Sequence, residues 1–297
     1  MTIAWVFPGQ GSQKHGMGKD VIQLEGSKAR FIYASEIFKK DLFRICELSS
    51  PDNTIDDLNN TKNTQICLFL IEAILLDNLK KNGFKPNFVA GHSLGEITAL
   101  YAADVLSFES CVELIRVRSE LMSEALDGAM AAVIGFNRNE LNDLVDKTKN
   151  LVIANDNSSS QVVLSGSQES IECVSGQITC KRFMKLNVSG AFHSPFMKDS
   201  SDKFSTYLDP LLFNNSSFPV ISNYRPEFVS DAQELKKNLK KQMCNEVRWR
   251  ETMNLMGKED ELHIVEIGPS NVLAGLAKRE LKDIKISQVS SSANLFY

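Results

Sequence analysis

Two rhythms of apolar and polar residues divide the chain. Residues 2–7 (TIAWVF) form a short apolar run stopped by Pro8-Gly9, which predicts a strand and then a turn. Residues 66–82 are apolar over a helical length and are followed by Gly83, which predicts a buried helix with a glycine just past its end. A short strand is expected at 87–90, a helix at 94–103 and a longer helix at 108–125. This alternation predicts an α/β fold with a largely parallel sheet.

After Gly128 the rhythm changes. Strands are expected at 129–136, 151–155, 161–165 and 182–188, with helices at 138–147 and 168–177 and a polar loop at 156–160. The order β-α-β-β-α-β is the ferredoxin-like arrangement and suits an inserted subdomain. A strand at 263–267 and a helix at 271–281, separated by Gly268-Pro269-Ser270, return the chain to its first unit. The expected organisation is a large α/β domain over 1–127 and 190–297, with a small subdomain over 128–189. The polar stretch 49–64 is expected to be a surface loop.

Composition narrows the classes. Apolar residues make up 43% of the 297, enough for a sizeable core, and the net charge of −4 argues against a nucleic-acid partner, which requires a basic excess. Six cysteines are scattered with no C-x-x-C pair, which argues against zinc and against a disulfide framework and predicts reduced thiols in the cytoplasm. The most apolar run, 66–76, contains Glu72 and is too short to cross a bilayer. The N-terminus has no basic segment and reads as a strand, not as a signal peptide.

Gly91-His92-Ser93-Leu94-Gly95 carries the chemistry. G-x-S-x-G between a strand and a helix can hold a nucleophilic serine on a strained turn. Two glycines remove side chains where strand and helix crowd. The amide of Leu94 would then face an oxyanion formed by attack. Alternatively Ser93 is a plain helix cap, with Glu96 completing a capping box. A nucleophilic serine needs a base, and there are four histidines. His263 lies in a predicted buried strand and reads as structural. His92 adjoins Ser93 and should diverge from it, and His15 follows a glycine-rich loop. His193, in Gly190-Ala191-Phe192-His193-Ser194-Pro195, sits where the small unit hands back to the large one, a preferred place for a cleft. His193 therefore leads. Asp199 and Asp202 follow closely, yet no spacing selects either as a triad acid.

The helix at 108–125 has a charge on its apolar side. Cys111, Leu114, Ile115, Arg118, Leu121, Met122 and Ala125 share one stripe, whereas Arg116 lies on the polar face near Glu113 and Glu120. Arg118 needs an anion: either a structural carboxylate or the carboxylate of a bound acyl group, gripped by its planar fork. The opening FPGQGSQKHGMG is glycine-rich but fits neither G-x-G-x-x-G nor a Walker A loop. It is expected to bring a backbone amide such as that of Gln10 to the site.

FPGQGSQ at 7–13, GHSLGE at 91–96, Arg118, GAFHSPFM at 190–197, EVRW at 246–249 and EIGPSNVLAGLAKR at 266–279 together resemble the malonyl-CoA:acyl carrier protein transacylases. These are acyltransferases of type II fatty-acid synthesis, related to the acyltransferase domains of polyketide synthases. The resemblance spans nearly the whole chain. It implies an α/β-hydrolase-like large domain with a ferredoxin-like small one. Ser93 would be the nucleophile and His193 its base, with the amides of Gln10 and Leu94 as the oxyanion hole. Arg118 would hold the malonyl carboxylate, and Phe192 and Met122 would shape the acyl pocket. A backbone carbonyl near Arg248 would orient the histidine, which accounts for the missing triad acid. The implied reaction moves malonyl from malonyl-CoA to the phosphopantetheine thiol of holo acyl carrier protein through a malonyl-serine, supplying fatty-acid biosynthesis. It needs no metal or redox cofactor, and a monomer is expected. The carrier is acidic, so basic side chains near the cleft are expected to receive it, among them Lys181, Arg182, Lys185, Arg225, Lys278 and Arg279. A hydrolase releasing the acyl group to water and a carrier-binding scaffold without chemistry are the competing functions.

Overall fold

The first strand, β1 (Thr2–Phe7), becomes the centre of the larger sheet because its apolar run is covered on both faces; Ala4 to Phe7 are fully buried. Helices α1 (Ser27–Phe38) and α2 (Leu42–Glu47) follow, then α3 (Thr61–Lys81), strand β2 (Phe88–Gly91), α4 (Gly95–Ala102) and α5 (Phe108–Glu124). The computed structural model describes residues 1–47, 57–125, 127–188 and 190–296. Part of the loop expected at 49–64 therefore lies outside the described residues. The rest differs from expectation: Asn60 caps Lys62 N, and α3 starts at Thr61, with Thr61, Asn63 and Thr64 already buried. Polar composition suggested a loop there, but the residues bond inward, Thr64 Oγ1 to the carbonyl of Leu58 and Asn63 Nδ2 to that of Asp57.

The chain then builds β3 (Ala129–Phe136), α6 (Arg138–Lys147), β4 (Leu151–Ser158), β5 (Gln161–Gly166), α7 (Gln168–Ser175) and β6 (Cys180–Lys185). It continues through α8 (Lys198–Leu208), β7 (Val220–Ile221), α9 (Ala232–Gln242), α10 (Trp249–Met256), β8 (Leu262–Ile267), α11 (Val272–Glu280) and β9 (Lys285–Val289). Two sheets result. One is parallel, in the order β7-β2-β1-β8-β9, and the other is antiparallel, in the order β4-β5-β3-β6. The fold is thus α/β with a parallel sheet plus an antiparallel sheet.

β4 runs three residues further than expected, so the polar loop shrinks to Ser159-Ser160. The extra residues are held from outside their own sheet. Asp156 N donates to the Val247 carbonyl at 3.0 Å, and Val247 N donates to the Ala154 carbonyl at 2.8 Å. The Asp156 carboxylate pairs with both Arg138 and Arg250, at 3.0 and 2.8 Å. These contacts join the antiparallel sheet to the segment before α10. In the parallel sheet, the chain turns from β1 toward β2 on one side and pairs with β8 on the other. The carboxyl ends of β1 and β2 lie at this switch point, the usual place for a ligand in an open α/β sheet.

Candidate active site

Ser93 sits on the turn between β2 and α4 with φ of 53°, a left-handed conformation that costs a non-glycine residue of order 1–3 kcal/mol. The flanking glycines make the turn possible. A Cβ on Gly91 would stand 1.9 Å from the backbone of Gly95, and one on Gly95 would stand 2.1 Å from the carbonyl oxygen of Phe7. No other residue fits either place. Ser93 is therefore not a plain cap: its hydroxyl points at a histidine.

Ser93 Oγ and His193 Nε2 are 2.7 Å apart, although 100 residues separate them in sequence. His193 also has a positive φ, 55°, and is 4% exposed. Its Nδ1 lies 3.0 Å from the carbonyl oxygen of Gln242, the last residue of α9. With Nδ1 donating there, Nε2 is the free acceptor facing the hydroxyl. Burial, and then the nearby Arg118 charge, push the His193 imidazole down to about 3, so it is neutral at ordinary pH and able to accept a proton.

The expectation of a carbonyl near Arg248 is corrected to Gln242. Residues in the last turn of a helix have carbonyls without intrahelical partners, and that of Gln242 is directed to the imidazole. The carbonyl of Arg248 instead starts α10, accepting from Thr252 N and Thr252 Oγ1. Its guanidinium pairs with Glu251 at 2.6 Å. His193 is the histidine whose ring meets Ser93 Oγ. His92 bonds Asn157 Oδ1 through Nε2 at 2.8 Å, His263 bonds Ser287 Oγ at 2.9 Å, and His15 is exposed. Asp202 pairs with Lys198 on the surface.

Arg118 is 1% exposed, and its Nη2 reaches Ser93 Oγ at 3.1 Å. Among the described residues no carboxylate is bonded to it. Nη1 donates to Gln65 Oε1 at 2.8 Å and Nη2 to Gln242 Oε1 at 2.9 Å, while Nε is buried and has no hydrogen-bond partner among the described residues. Burial lowers the guanidinium to about 10, opposed by Glu96, so it stays charged at neutral pH. A fixed, buried cation held by neutral amides beside the Ser93 hydroxyl is poised for an anion brought by a ligand.

Ser93, His193 and Arg118 open onto a cavity of about 250 Å³ between the two sheets. Gln10, Leu94, Met122 and Phe192 line it as well, so the structure gathers every expected site residue except Arg248. Among the described residues, the amides of Gln10 and Leu94 have no hydrogen-bond partner, and the Gln10 side chain is anchored to Thr61 Oγ1 at 3.3 Å. Met130, Val163, Leu186 and Val188 make the opposite wall apolar.

The model of the acyl transferase domain family matches residues 4–294. A malonyl CoA-acyl carrier protein transacylase of Synechocystis sp. is 41% identical over 295 residues, covering 99% of both chains. The chain belongs to the acyl transferase domain family. A second malonyl CoA-acyl carrier protein transacylase, from Bacillus subtilis, is 38% identical over 299 residues, with 96% of this chain and 93% of that one covered. The crystal structure of the Synechocystis malonyl-CoA:ACP transacylase matches this acyl transferase with a TM-score of 0.94 over 99% of each chain. A malonyl-transacylase solved in complex with its type II polyketide acyl-carrier protein matches with a TM-score of 0.91 at 31% identity, covering 99% of this chain and 98% of that one.

Gln65, Asn223 and Gln242 support the acyl transferase site without any signal in the sequence, and Glu96, which could be read there as a helix cap, joins them. Glu96 is buried, and one of its oxygens, Oε2, accepts from Gln242 Nε2 at 2.8 Å and from Asn223 N at 3.1 Å. Burial raises this carboxyl, and those hydrogen bonds oppose the rise. Gln242 Nε2 also donates to the carbonyl of Ser93 at 2.7 Å, and Gln65 holds Arg118. Asn223 accepts from Ser93 N at 2.6 Å. Amides in polar stretches look like surface, and only their partners, 53 to 149 residues away, reveal them.

Proposed function

We propose that this acyl transferase moves the malonyl group of malonyl-CoA to the phosphopantetheine thiol of holo acyl carrier protein, supplying extender units for fatty-acid or polyketide synthesis. Arg118 carries the proposal. Its Nε and Nη2 form one planar edge; Nε has no hydrogen-bond partner among the described residues, and Nη2 lies 3.1 Å from Ser93 Oγ. That edge suits a carboxylate one carbon removed from the acyl carbonyl under attack. The two relatives described above, at 41% and 38% identity, support the same substrate.

His193 Nε2 takes the proton of Ser93 as Oγ attacks the thioester carbon. The oxyanion forms against the amides of Leu94 and Gln10. The carbonyl re-forms, the C–S bond breaks and the coenzyme A thiolate leaves with the proton from His193. The phosphopantetheine thiol of the carrier then gives its proton to His193 and attacks the malonyl-serine, and the Ser93 alkoxide leaves and recovers that proton. Neither half-reaction calls on a metal or a redox cofactor. Phe192 and Met122, both buried against the cavity, bound the space around the malonyl C2 and limit branching there.

The finer organisation belongs to this proposal. Residues 128–189 form a ferredoxin-like subdomain inserted in an α/β-hydrolase-like domain of 1–127 and 190–297. The strand order β4-β5-β3-β6 with α6 and α7 supports the first, and the G-x-S-x-G turn at the end of β2 supports the second. The carrier approaches over Lys181 and Arg182 on β6 and Lys278 and Arg279 at the end of α11, all exposed, whereas Lys185 and Arg225 are engaged by Glu172 and Glu227. The protein works as a monomer in the cytoplasm, and the free state of its six thiols fits a reducing compartment. No helix among the described residues is long and apolar enough to cross a membrane.

Incubation with labelled malonyl-CoA and holo carrier protein tests the function. Label should pass to the carrier through an adduct on Ser93 that is absent in Ser93→Ala. Label appearing as free malonate, with none on the carrier, would refute transfer.

A further inference from the structure

We propose that Asn223 is a positioning residue for the acylation step, its side-chain amide clamping the turn that carries Ser93. Asn223 follows the short edge strand β7 and is 1% exposed. It does not line the cavity, so it touches no substrate. All four of its polar groups are engaged. Oδ1 accepts from Ser93 N at 2.6 Å, and Nδ2 donates to the Gly91 carbonyl at 2.5 Å. Its backbone N donates to Glu96 Oε2 at 3.1 Å, and its carbonyl accepts from Arg248 N at 3.2 Å.

The two side-chain bonds span the elbow from Gly91 to Ser93, the stretch that must hold a left-handed serine. A residue in that region persists only when its surroundings over-determine it. Asn223 fixes the peptide before Ser93. The peptide after it is fixed by Gln242 Nε2, which donates to the Ser93 carbonyl at 2.7 Å. That second peptide also carries the Leu94 N–H, and in a planar trans unit the N–H points away from the gripped carbonyl. Both clamps are anchored on the same Glu96 oxygen. Asn223 thus sets where Oγ stands relative to His193, and so how well the hydroxyl is aimed at the thioester.

This inference rests on Ser93 being the nucleophile, and its test separates the two. Single-turnover quench flow with malonyl-CoA, read as the mass of the malonyl-Ser93 adduct, gives an acylation rate for the sites that react, whatever fraction of the preparation is folded. Asn223→Ala should acylate about ten- to a hundredfold more slowly, because small misplacements of reacting atoms cost this much. The half-saturating malonyl-CoA concentration should change less than about threefold, since the Arg118 seat is untouched. Asn223→Asp, of the same shape, retains the acceptor for Ser93 N but turns an oxygen toward the Gly91 carbonyl, and it should also lose about tenfold or more. A wild-type acylation rate in either variant would overturn the clamp, as would a loss confined to half-saturation. Absence of any adduct in the unaltered protein would instead overturn the proposed function.

Discussion

At the scale of single residues, the site works by placing two groups in surroundings that set their charge. Burial keeps His193 neutral down to about 3. An imidazole of ordinary pKa would be about three quarters protonated at pH 6. The sign follows: lowering the pKa extends the range in which Nε2 can accept a proton toward acid. The acylation rate measured by rapid quench should therefore stay nearly level from pH 7.5 down to about pH 5, without the decline near 6.5 of an unperturbed histidine. The same shift has a cost in stability. Below about 6.5 the unfolded chain binds a proton at His193 that the folded chain refuses, so this residue's contribution falls as pH drops from there toward 3. Arg118→Lys tests the carboxylate seat. A lysine keeps the charge but loses the planar edge, and kcat/KM for malonyl-CoA should fall by about ten- to a hundredfold. Turnover of acetyl-CoA, which has no carboxylate, should change little.

At the scale of elements, the strand-turn-helix around Ser93 leaves no space for a side chain at its crossing. Gly95→Ala would drive a methyl into the Phe7 carbonyl at 2.1 Å, so thermal unfolding should come well before that of the parent and acylation should be lost. Gly176→Ala is the control: its nearest neighbour would be 3.8 Å away and its φ is −85°, so melting should shift by no more than about a degree or two. These elements were legible because their apolar runs are long and punctuated by glycine and proline. Their ends were less so: β6 spans Cys180–Lys185 where 182–188 was expected. Apolar periodicity marks no element clearly between residues 198 and 262, where α8, β7, α9 and α10 lie. Yet α9 carries its signals in order: Asp231 caps Gln233 N and Glu234 N, Leu235 and Leu239 are buried one turn apart, and Lys240 and Lys241 close the helix. Its charged outer face hides a narrow apolar stripe.

At the scale of the whole molecule, the cavity exists only because two sheets are held against each other. Asp156 is a main fastening, its carboxylate shared by Arg138 of α6 and Arg250 of α10. The carboxylate is 8% exposed and the arginines 27% and 33%, so solvent screens part of the interaction. Asp156→Ala should lower the free energy of unfolding in urea by about 1–3 kcal/mol, below the 3–5 of a fully buried pair. Sequence patterns mark each unit separately. The meeting of Val247 with β4, far apart along the chain, leaves no local trace, which is why the expected polar loop is a strand. Ser93, His193 and Arg118 stood out because each breaks the pattern of its own segment. Their supporting amides break none.

The hydrogen bond from His193 Nδ1 to the carbonyl of Gln242 bears on how this enzyme withstands genetic drift. In a serine triad the third member is a side chain, and one codon change deletes it. Here the acceptor is main chain, which every amino acid supplies. Replacements at residue 242 would strip Arg118, Ser93 and Glu96 of an amide partner, yet leave the imidazole its tautomer so long as the end of α9 stays in place. A saturation library at that codon should therefore contain slow enzymes with an unshifted pH profile, and none that fail for want of a base.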